Sequence, residues 1–231
     1  ALHFNGLNNY IQISDNPSLD LTTGITIEGW LKLDRNCTDL RSCIAGKNNA
    51  YILNINNNGA LYMNLHNGTG WIASTFSNPH DIDFLSQWHH YVGTYDKTTG
   101  DIKLYIDGQL VKINHVGSFN INTNNNALRI GNIWTWYTHG MIDDVRIYNR
   151  ALSGAEVQQN YQGNVTTSGL ISWWRFNEGH DNAVHDCMSN NDGIIYGAEW
   201  INYGNTALHF NGLNNYIQIS DNPSLDLTTG I

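Results

Sequence analysis

Residues 102–111, IKLYIDGQLV, contain two short runs of alternating residues on either side of the pair Asp107-Gly108. Alternation with a period of two places apolar side chains on one face of a β-strand. Asp-Gly accepts the positive backbone φ angles of a two-residue hairpin turn. The stretch therefore predicts an antiparallel β-hairpin.

Runs with the same character occur along the chain, at 10–13, 25–33, 51–55, 60–65, 89–95, 127–130, 142–148 and 170–176. Asn and Gly separate many of them, as residues of tight turns do. One helix is predicted, because Ser153 and Glu156 form a capping-box pattern ahead of 157–161. This pattern predicts an all-β fold, an antiparallel two-sheet sandwich with one short helix.

Charge and hydropathy exclude two classes of partner. Charged residues make up 13% of the chain, against about 25% in ordinary soluble domains. The net charge is −9, and the 11 basic residues are scattered, so a phosphate backbone would find no basic surface. No apolar run approaches the ~20 residues that span a bilayer. We expect no nucleic-acid partner and no membrane insertion in this segment.

Residues 1–25, ALHFNGLNNYIQISDNPSLDLTTGI, recur letter for letter at 207–231, with a period of 206 residues. Chance does not produce such a match, and exposed positions have not drifted. Two interpretations follow. The chain contains part of a tandem array of nearly identical domains, or the two copies are strands that neighbouring molecules exchange.

Several segments resemble one family when they are taken in order. They are the strands at 25–33 and 104–108, the WHHYV run at 88–92, the closing GMIDDVRIYNRAL at 140–152, and the Asp/Asn/Gly-rich segment 168–193. Their order and spacing resemble the laminin-G-like (LamG), concanavalin A-like jelly-roll domains. The resemblance implies two curved antiparallel sheets, often a structural Ca²⁺, and roles in adhesion or glycan binding. It does not imply an enzyme.

The polar stretch 163–167 predicts a linker between two parts of the chain. Residues 1–162 then form a jelly-roll domain that lacks the opening strands of the family. Residues 168–231 supply the opening strands of the next repeat, or strands that complete the same or a neighbouring sandwich.

No catalytic residue is predicted. The related glucanases use carboxylates at alternate positions of one strand, whereas each Glu of this chain lacks a carboxylate two or four residues away: Glu28, Glu156, Glu178 and Glu199. Asp81 and Asp83 have the right spacing but occur in a sequence typical of a surface turn. His89 and His90 would point to opposite faces of a strand, so they cannot chelate a metal together.

The resemblance implies a candidate Ca²⁺ site at Asp143, with Asn177 or Glu178 and the Gly6–Asn9 turn, and thus Asn9, as further ligands. The alternative is that Asp143 caps a turn by accepting backbone N–H groups.

Aromatic residues in a loop between two strands suggest a contact surface. Trp134, Trp136 and Tyr137 could stack on sugar faces or form a subunit contact, and we favour the subunit contact. For the tryptophans in predicted strands, core packing is the expectation: Trp30, Trp88, Trp173 and Trp174.

Cysteine spacing and glycosylation motifs indicate an oxidising compartment. Cys37 and Cys43 enclose five residues and predict a local disulfide, which leaves Cys187 as a free thiol or an intermolecular partner. Acceptor sequons begin at Asn36, Asn67 and Asn164. With the family resemblance, they predict an extracellular or cell-surface location.

The sequence therefore predicts a non-enzymatic structural or adhesive repeat of an extracellular surface protein or filament. Copies of the chain would assemble through tandem domains and strand complementation, in which a donated strand completes a sheet. The alternative is a Ca²⁺-dependent, lectin-like carbohydrate-binding module. In that case chelation and Trp136→Ala should abolish glycan binding.

Overall fold

The computed structural model of the chain describes residues 1–34, 41–56, 59–77 and 85–201, and most of them lie in short antiparallel strands. In chain order the strands are β1 (Leu2–Asn5), β2 (Tyr10–Ile13), β3 (Gly24–Leu33), β4 (Ser42–Lys47), β5 (Tyr51–Ile55), β6 (Leu61–His66), β7 (Trp71–Phe76), β8 (His89–Asp96), β9 (Asp101–Ile106), β10 (Gln109–His115), β11 (Leu128–Ile130), β12 (Asn132–Ile133), β13 (Trp136–Tyr137), β14 (His139–Tyr148), β15 (Leu170–Trp174), β16 (Ala183–Val184), β17 (Gly193–Tyr196) and β18 (Glu199–Trp200). A 3₁₀ turn spans Pro17–Leu19, and helix α1 spans Gly154–Tyr161.

Two large sheets form the sandwich. Sheet A has the order β10-β9-β8-β3-β14-β1-β18, and β15 also pairs with β14. Sheet B has the order β16-β17-β2-β11-β4-β5-β6-β7, while β12 and β13 form a separate hairpin. The prediction of an antiparallel two-sheet jelly-roll sandwich with one short helix is confirmed.

The core between the sheets follows from the period of two. In β3, Ile25, Ile27 and Leu31 point inward and are fully or almost fully buried. The intervening residues, Glu28 and Trp30 among them, therefore lie on the outer face of sheet A. The inner face of β3 thus packs against sheet B and forms the core, whereas its outer face points away from sheet B.

Helix α1 covers part of the outer face of sheet A. Ser153 accepts the N–H of Glu156, and the Glu156 carboxylate accepts the N–H of Ser153, which confirms the predicted capping box. Beneath the helix lies a second apolar cluster: Val92, Tyr105, Tyr148, Leu152, Val157 and Leu170. Because the helix has only two turns, it leaves the neighbouring part of the face open.

The predicted hairpin is β9–β10. Ile106 pairs with Gln109, and Asp107 and Gly108 have φ angles of 51° and 78°. A Cβ at Gly108 would also contact the end of the flexible Gln158 side chain. The positive φ of the turn is therefore the main reason for glycine at this position.

Residues 168–201 pair with strands of the same chain. Strand β15 pairs with β14, β17 with β2, and β18 with β1. In the structure these strands therefore extend the two sheets that residues 1–162 form. The second 25-residue copy, 207–231, lies outside the described residues.

Within the described ranges, no helix is long and apolar enough to cross a bilayer.

Candidate functional site

A cleft of about 490 Å³ opens on the outer face of sheet A, beside the C-terminal end of α1. Its aromatic lining is formed by Trp30, Trp88, Tyr161 and Trp173. The remaining lining residues are Asp143, Asp144, Arg146, Asn160, Gly163, Val165 and Arg175. The cleft therefore combines aromatic rings with carboxylate, amide and guanidinium groups.

An irregularity in β14 brings two carboxylates to the cleft. The pairing of β14 with β3 shifts between Asp143 and Arg146, and Asp144 has a φ of 51°. In such a bulge two residues of one strand lie opposite a single residue of its partner, here Asp144 and Val145 opposite Gly29. The side chains after the bulge therefore keep their alignment with those of β3. Ile142 and Val145 thus both reach the core, while Asp143, Asp144 and Arg146 line the cleft.

The aromatic rings are held in place by one another and by two arginines. Trp30 stacks on Tyr161, with ring centroids 5.6 Å apart, and its ring centroid lies 5.2 Å from that of His90. Trp173 lies 4.7 Å from the guanidinium of Arg146 and 4.9 Å from that of Arg175. These contacts restrict the rotamers of the rings before any ligand arrives.

A buried ionic network forms the floor. Arg146 is 2% exposed and donates from Nη1 to Glu28 Oε1 over 2.8 Å, and its Nη2 lies 3.2 Å from Asp144 Oδ2. Asn160 also donates to Glu28 Oε1, over 3.0 Å. Trp173 Nε1 donates to Asp144 Oδ1 over 2.6 Å. The network connects β3, β14, β15 and α1 directly behind the aromatic walls.

In or beside this network, Arg146 and His90 have buried nitrogen atoms with no hydrogen-bond partner among the residues that the structure describes. Arg146 Nε has no partner, nor has either ring nitrogen of His90. His90 Nε2 lies 3.6 Å from Glu28 Oε2, beyond a normal hydrogen bond. Burial lowers the pKa of His90 although Glu28 opposes this shift, so we expect a neutral imidazole.

Asp143 is the least neutralised carboxylate of the cleft. Its Oδ1 accepts the N–H of Asp144 over 3.0 Å, and its Oδ2 lies 3.6 Å from the amino group of Ala1. Burial raises the pKa of Asp143 to about 6.

The structure brings Asp143 close to the segment that carries Asn177 but places Asn9 apart from it, and the Ca²⁺ site stays a prediction. The amino group of Ala1 lies near Asp143 and donates to the carbonyl of Phe176, so Asp143 is close to the segment that carries Asn177. Asn9 lies near Asn5, because its side chain accepts the N–H of Asn5. Asn5 is four residues along the strand from Ala1, or ~13 Å at about 3.3 Å per residue. Asn9 is therefore far from Asp143, which lies beside Ala1. Within the described ranges, no three His, Cys, Asp or Glu side chains cluster as metal ligands.

The predicted aromatic contact residues lie on the β12–β13 hairpin, which packs on the outer side of sheet B. Trp136 packs against the buried cluster of Cys43, Ile52 and Ile133. Trp134 is 42% exposed and meets the ring of Trp71 edge to face at 5.8 Å. Its Nε1 donates to Asn48 Oδ1. This surface is separate from the cleft on sheet A.

The cysteines and sequons are only partly described. Cys37 and Asn36 lie outside the described residues, while Cys43 is fully buried with a free thiol. The Cys37–Cys43 disulfide stays a prediction. Cys187 is exposed. Asn164 is exposed, and Asn67 accepts the N–H of Gly70 in its own turn.

Sequence reasoning missed the cleft because it assigned tryptophans in strands to the core. That interpretation holds for Trp174, which is fully buried between the sheets. It is wrong for Trp30 and Trp88, which line the cleft on the outer side of sheet A, while Trp173 lines the cleft and also packs against the apolar cluster beneath α1. The available signal was the alternation Ile25, Ile27, Leu31 in β3, which places Glu28 and Trp30 on the opposite face.

Comparisons with known proteins agree with this architecture. The family model of the concanavalin A-like lectin/glucanases superfamily matches residues 5–158, more than half of the chain. No curated protein matches the chain.

Solved structures with a similar fold include a Bacteroides ovatus protein assigned to carbohydrate binding (20% identity, TM-score 0.67), which covers 85% of this chain. The chain spans 58% of the length of that protein. A heptameric pentraxin from Limulus polyphemus (16% identity, TM-score 0.51) matches over 71% of this chain and 82% of its own. The binding domain of botulinum neurotoxin serotype G (21% identity, TM-score 0.54) matches over 70% and 44%.

At these identities the structural likeness shows the fold alone. Together with the family match over residues 5–158, it leads to one conclusion. The chain belongs to the concanavalin A-like lectin/glucanase superfamily.

Proposed function

We propose that the chain is a non-catalytic carbohydrate-binding module that holds a sugar in the cleft on sheet A. The observation that carries this proposal is the lining of the cleft, in which four aromatic side chains stand beside carboxylates, an amide and a buried guanidinium. A sugar presents an apolar C–H face that packs on aromatic rings and hydroxyl groups that exchange hydrogen bonds with polar side chains. The volume of about 490 Å³ suits a small ligand or one end of a glycan chain.

The charges around Arg146 favour a neutral sugar. Glu28 and Asp144 already balance its positive charge, while the carboxylate of Asp143 and the guanidinium of Arg175 give the cleft one further charge of each sign. Arg146 is itself only 2% exposed, so its guanidinium holds the floor of the cleft, and a ligand would meet the groups around it. An acidic sugar would meet the carboxylate of Asp143.

The roles of the carboxylates support binding without catalysis. Hydrolysis of a glycosidic bond uses two carboxyl groups on opposite sides of the sugar, one as acid and one as nucleophile or base. Glu28 is fully buried behind the cleft, and Asp144 is bonded to both Arg146 and Trp173. Asp143 is then the one carboxylate of these three that can turn toward a ligand.

The test is a screen of the full chain against an array of neutral and acidic glycans, followed by titration calorimetry with the best ligand. Trp173→Ala should weaken binding by at least tenfold, or about 1.4 kcal/mol, because it removes a wall of the cleft and its contacts to Arg146 and Arg175. Thermal unfolding of the variant establishes that the sandwich remains folded.

Trp134→Ala is the matched control, since it removes a half-exposed tryptophan from the hairpin on the other sheet. Its affinity should equal that of the unchanged chain. Loss of binding in Trp134→Ala with full binding in Trp173→Ala would place the sugar on the hairpin and refute the proposed site.

The 25-residue identity favours a second function, that of a structural repeat. An extracellular protein built from such units would present one cleft every 206 residues. Many weak clefts on one chain bind a multivalent glycan surface with high avidity, so the two functions are compatible. A chain carrying two complete repeats should bind a glycan-coated surface at least tenfold more tightly than a chain with one, while both bind the soluble sugar equally.

A further inference from the structure

The first 23 residues occupy the interior of both sheets. Strand β1 lies between β14 and β18 in sheet A, and β2 lies between β11 and β17 in sheet B. We call the surfaces that receive these two strands the slot. If the slot were empty, both sheets would be interrupted and their backbone N–H and C=O groups would lose partners.

Side chains make the slot specific for this sequence. Phe4 is fully buried, and its ring packs against Gly131 at the place that a side chain of residue 131 would occupy. Lys47, also fully buried, contacts Asp15 and Asp20, each over 2.7 Å. An empty slot would therefore leave the Lys47 ammonium without the two carboxylates that it contacts in the folded chain.

The chain contains a second segment with every one of these groups. Residues 207–231 repeat residues 1–25 without a difference, so Phe210, Asp221 and Asp226 match Phe4, Asp15 and Asp20. Residues 207–231 could therefore make every contact with the slot that residues 1–25 make, because their side chains are the same.

The position of β18 makes the second copy reachable. Ile201 donates its N–H to the carbonyl of Ala1, and Trp200 pairs with Leu2 in antiparallel register. The counterpart of Ala1 is Ala207, so five residues separate Ile201 from it. Connections of two to five residues are the usual length for antiparallel neighbours.

We propose that the slot accepts residues 207–229 in place of residues 1–23, within the same molecule. Strand β3 begins at Gly24 and keeps its own residues in both arrangements. The strands of residues 170–200 then connect one repeat to the next. They complete the sandwich either with residues 1–23, as the structure shows, or with residues 207–229.

The test uses substitutions in the full chain. Phe4→Asp places a charge in the slot position of the first copy, and Phe210→Asp does so in the second. Each single variant should keep one cooperative thermal transition, because the other copy fills the slot. The double variant should lose that transition.

Proteolysis identifies which copy is in the slot. Chymotrypsin followed by mass spectrometry should remove the first 20 or so residues from Phe4→Asp and leave residues after 207 protected. Phe210→Asp should give the reverse. Leu128→Asp is the control, because Leu128 is fully buried on β11 beside the slot and has no second copy. It should unfold the sandwich by itself.

Two results would overturn the proposal. In the first, Phe4→Asp unfolds as completely as Leu128→Asp. In the second, Phe4→Asp folds only as dimers or larger species by light scattering, which would mean that the second copy reaches the slot of another molecule and not its own.

Discussion

At the scale of single residues, the buried pair Glu28 and Arg146 sets the properties of the cleft floor. Removing one partner of a buried ion pair leaves the other charge uncompensated and typically costs about 3–5 kcal/mol. We expect Arg146→Met to lower the free energy of unfolding by about that amount in urea titration. Glu28→Gln with Arg146→Met should recover part of the loss, because the lone carboxylate is gone. A double variant that is less stable than Arg146→Met would contradict this account of the floor.

Asp143 makes stability depend on pH in a defined window. Its pKa is raised from 3.8 to about 6, chiefly by burial, so the folded state holds the proton more tightly than the unfolded state. The stabilisation that comes from holding this proton is therefore fully present below about pH 4, the pKa of the unfolded state. It is lost as the pH rises through about 6, where the folded state releases the proton. Asp143→Asn should flatten the stability profile between pH 4 and 6. The measurement is chemical denaturation at half-unit steps, and an unchanged profile in the variant would show that Asp143 does not titrate in this way.

At the scale of elements, the capping box of α1 positions one wall of the cleft. Ser153 begins the helix, and Asn160 and Tyr161 end it at the cleft. Ser153→Ala should destabilise the chain by about 1 kcal/mol, as the loss of an N-cap does. It should also weaken glycan binding more than Ser153→Thr, which keeps the hydroxyl. Equal affinities of the two variants would show that the order of α1 does not matter to the cleft.

Elements defined by neighbouring residues could be predicted from the sequence, whereas the cleft could not. The β9–β10 turn and the capping box of α1 depend on residues at most a few positions apart, and both were predicted correctly. The floor joins Glu28, Arg146 and Asn160, which are more than 100 residues apart at the extremes. A buried Glu in a strand offers no local clue to its partners. The bulge at Asp144 is equally invisible, since it depends on pairing with β3.

At the scale of the whole molecule, the number of copies limits self-association. Each molecule has one slot and two segments that fit it, so exchange between molecules forms no contact that a single molecule cannot form alone. Exchange would also incur the entropic cost of association. We therefore expect a monomer by light scattering, both for the full chain and for a chain that ends at Thr206. Concentration-dependent growth of the full chain, absent from the shorter one, would instead favour strand complementation between molecules.

The most direct test of the binding site is a crystal structure of the chain with the best neutral glycan from the array. We predict density for a sugar in the cleft on sheet A, with a ring against Trp173 or Trp30 and a hydroxyl within hydrogen-bonding distance of Asp143 or Arg175. A sugar bound at the β12–β13 hairpin beside Trp134 and Trp71, with the cleft empty, would contradict the account.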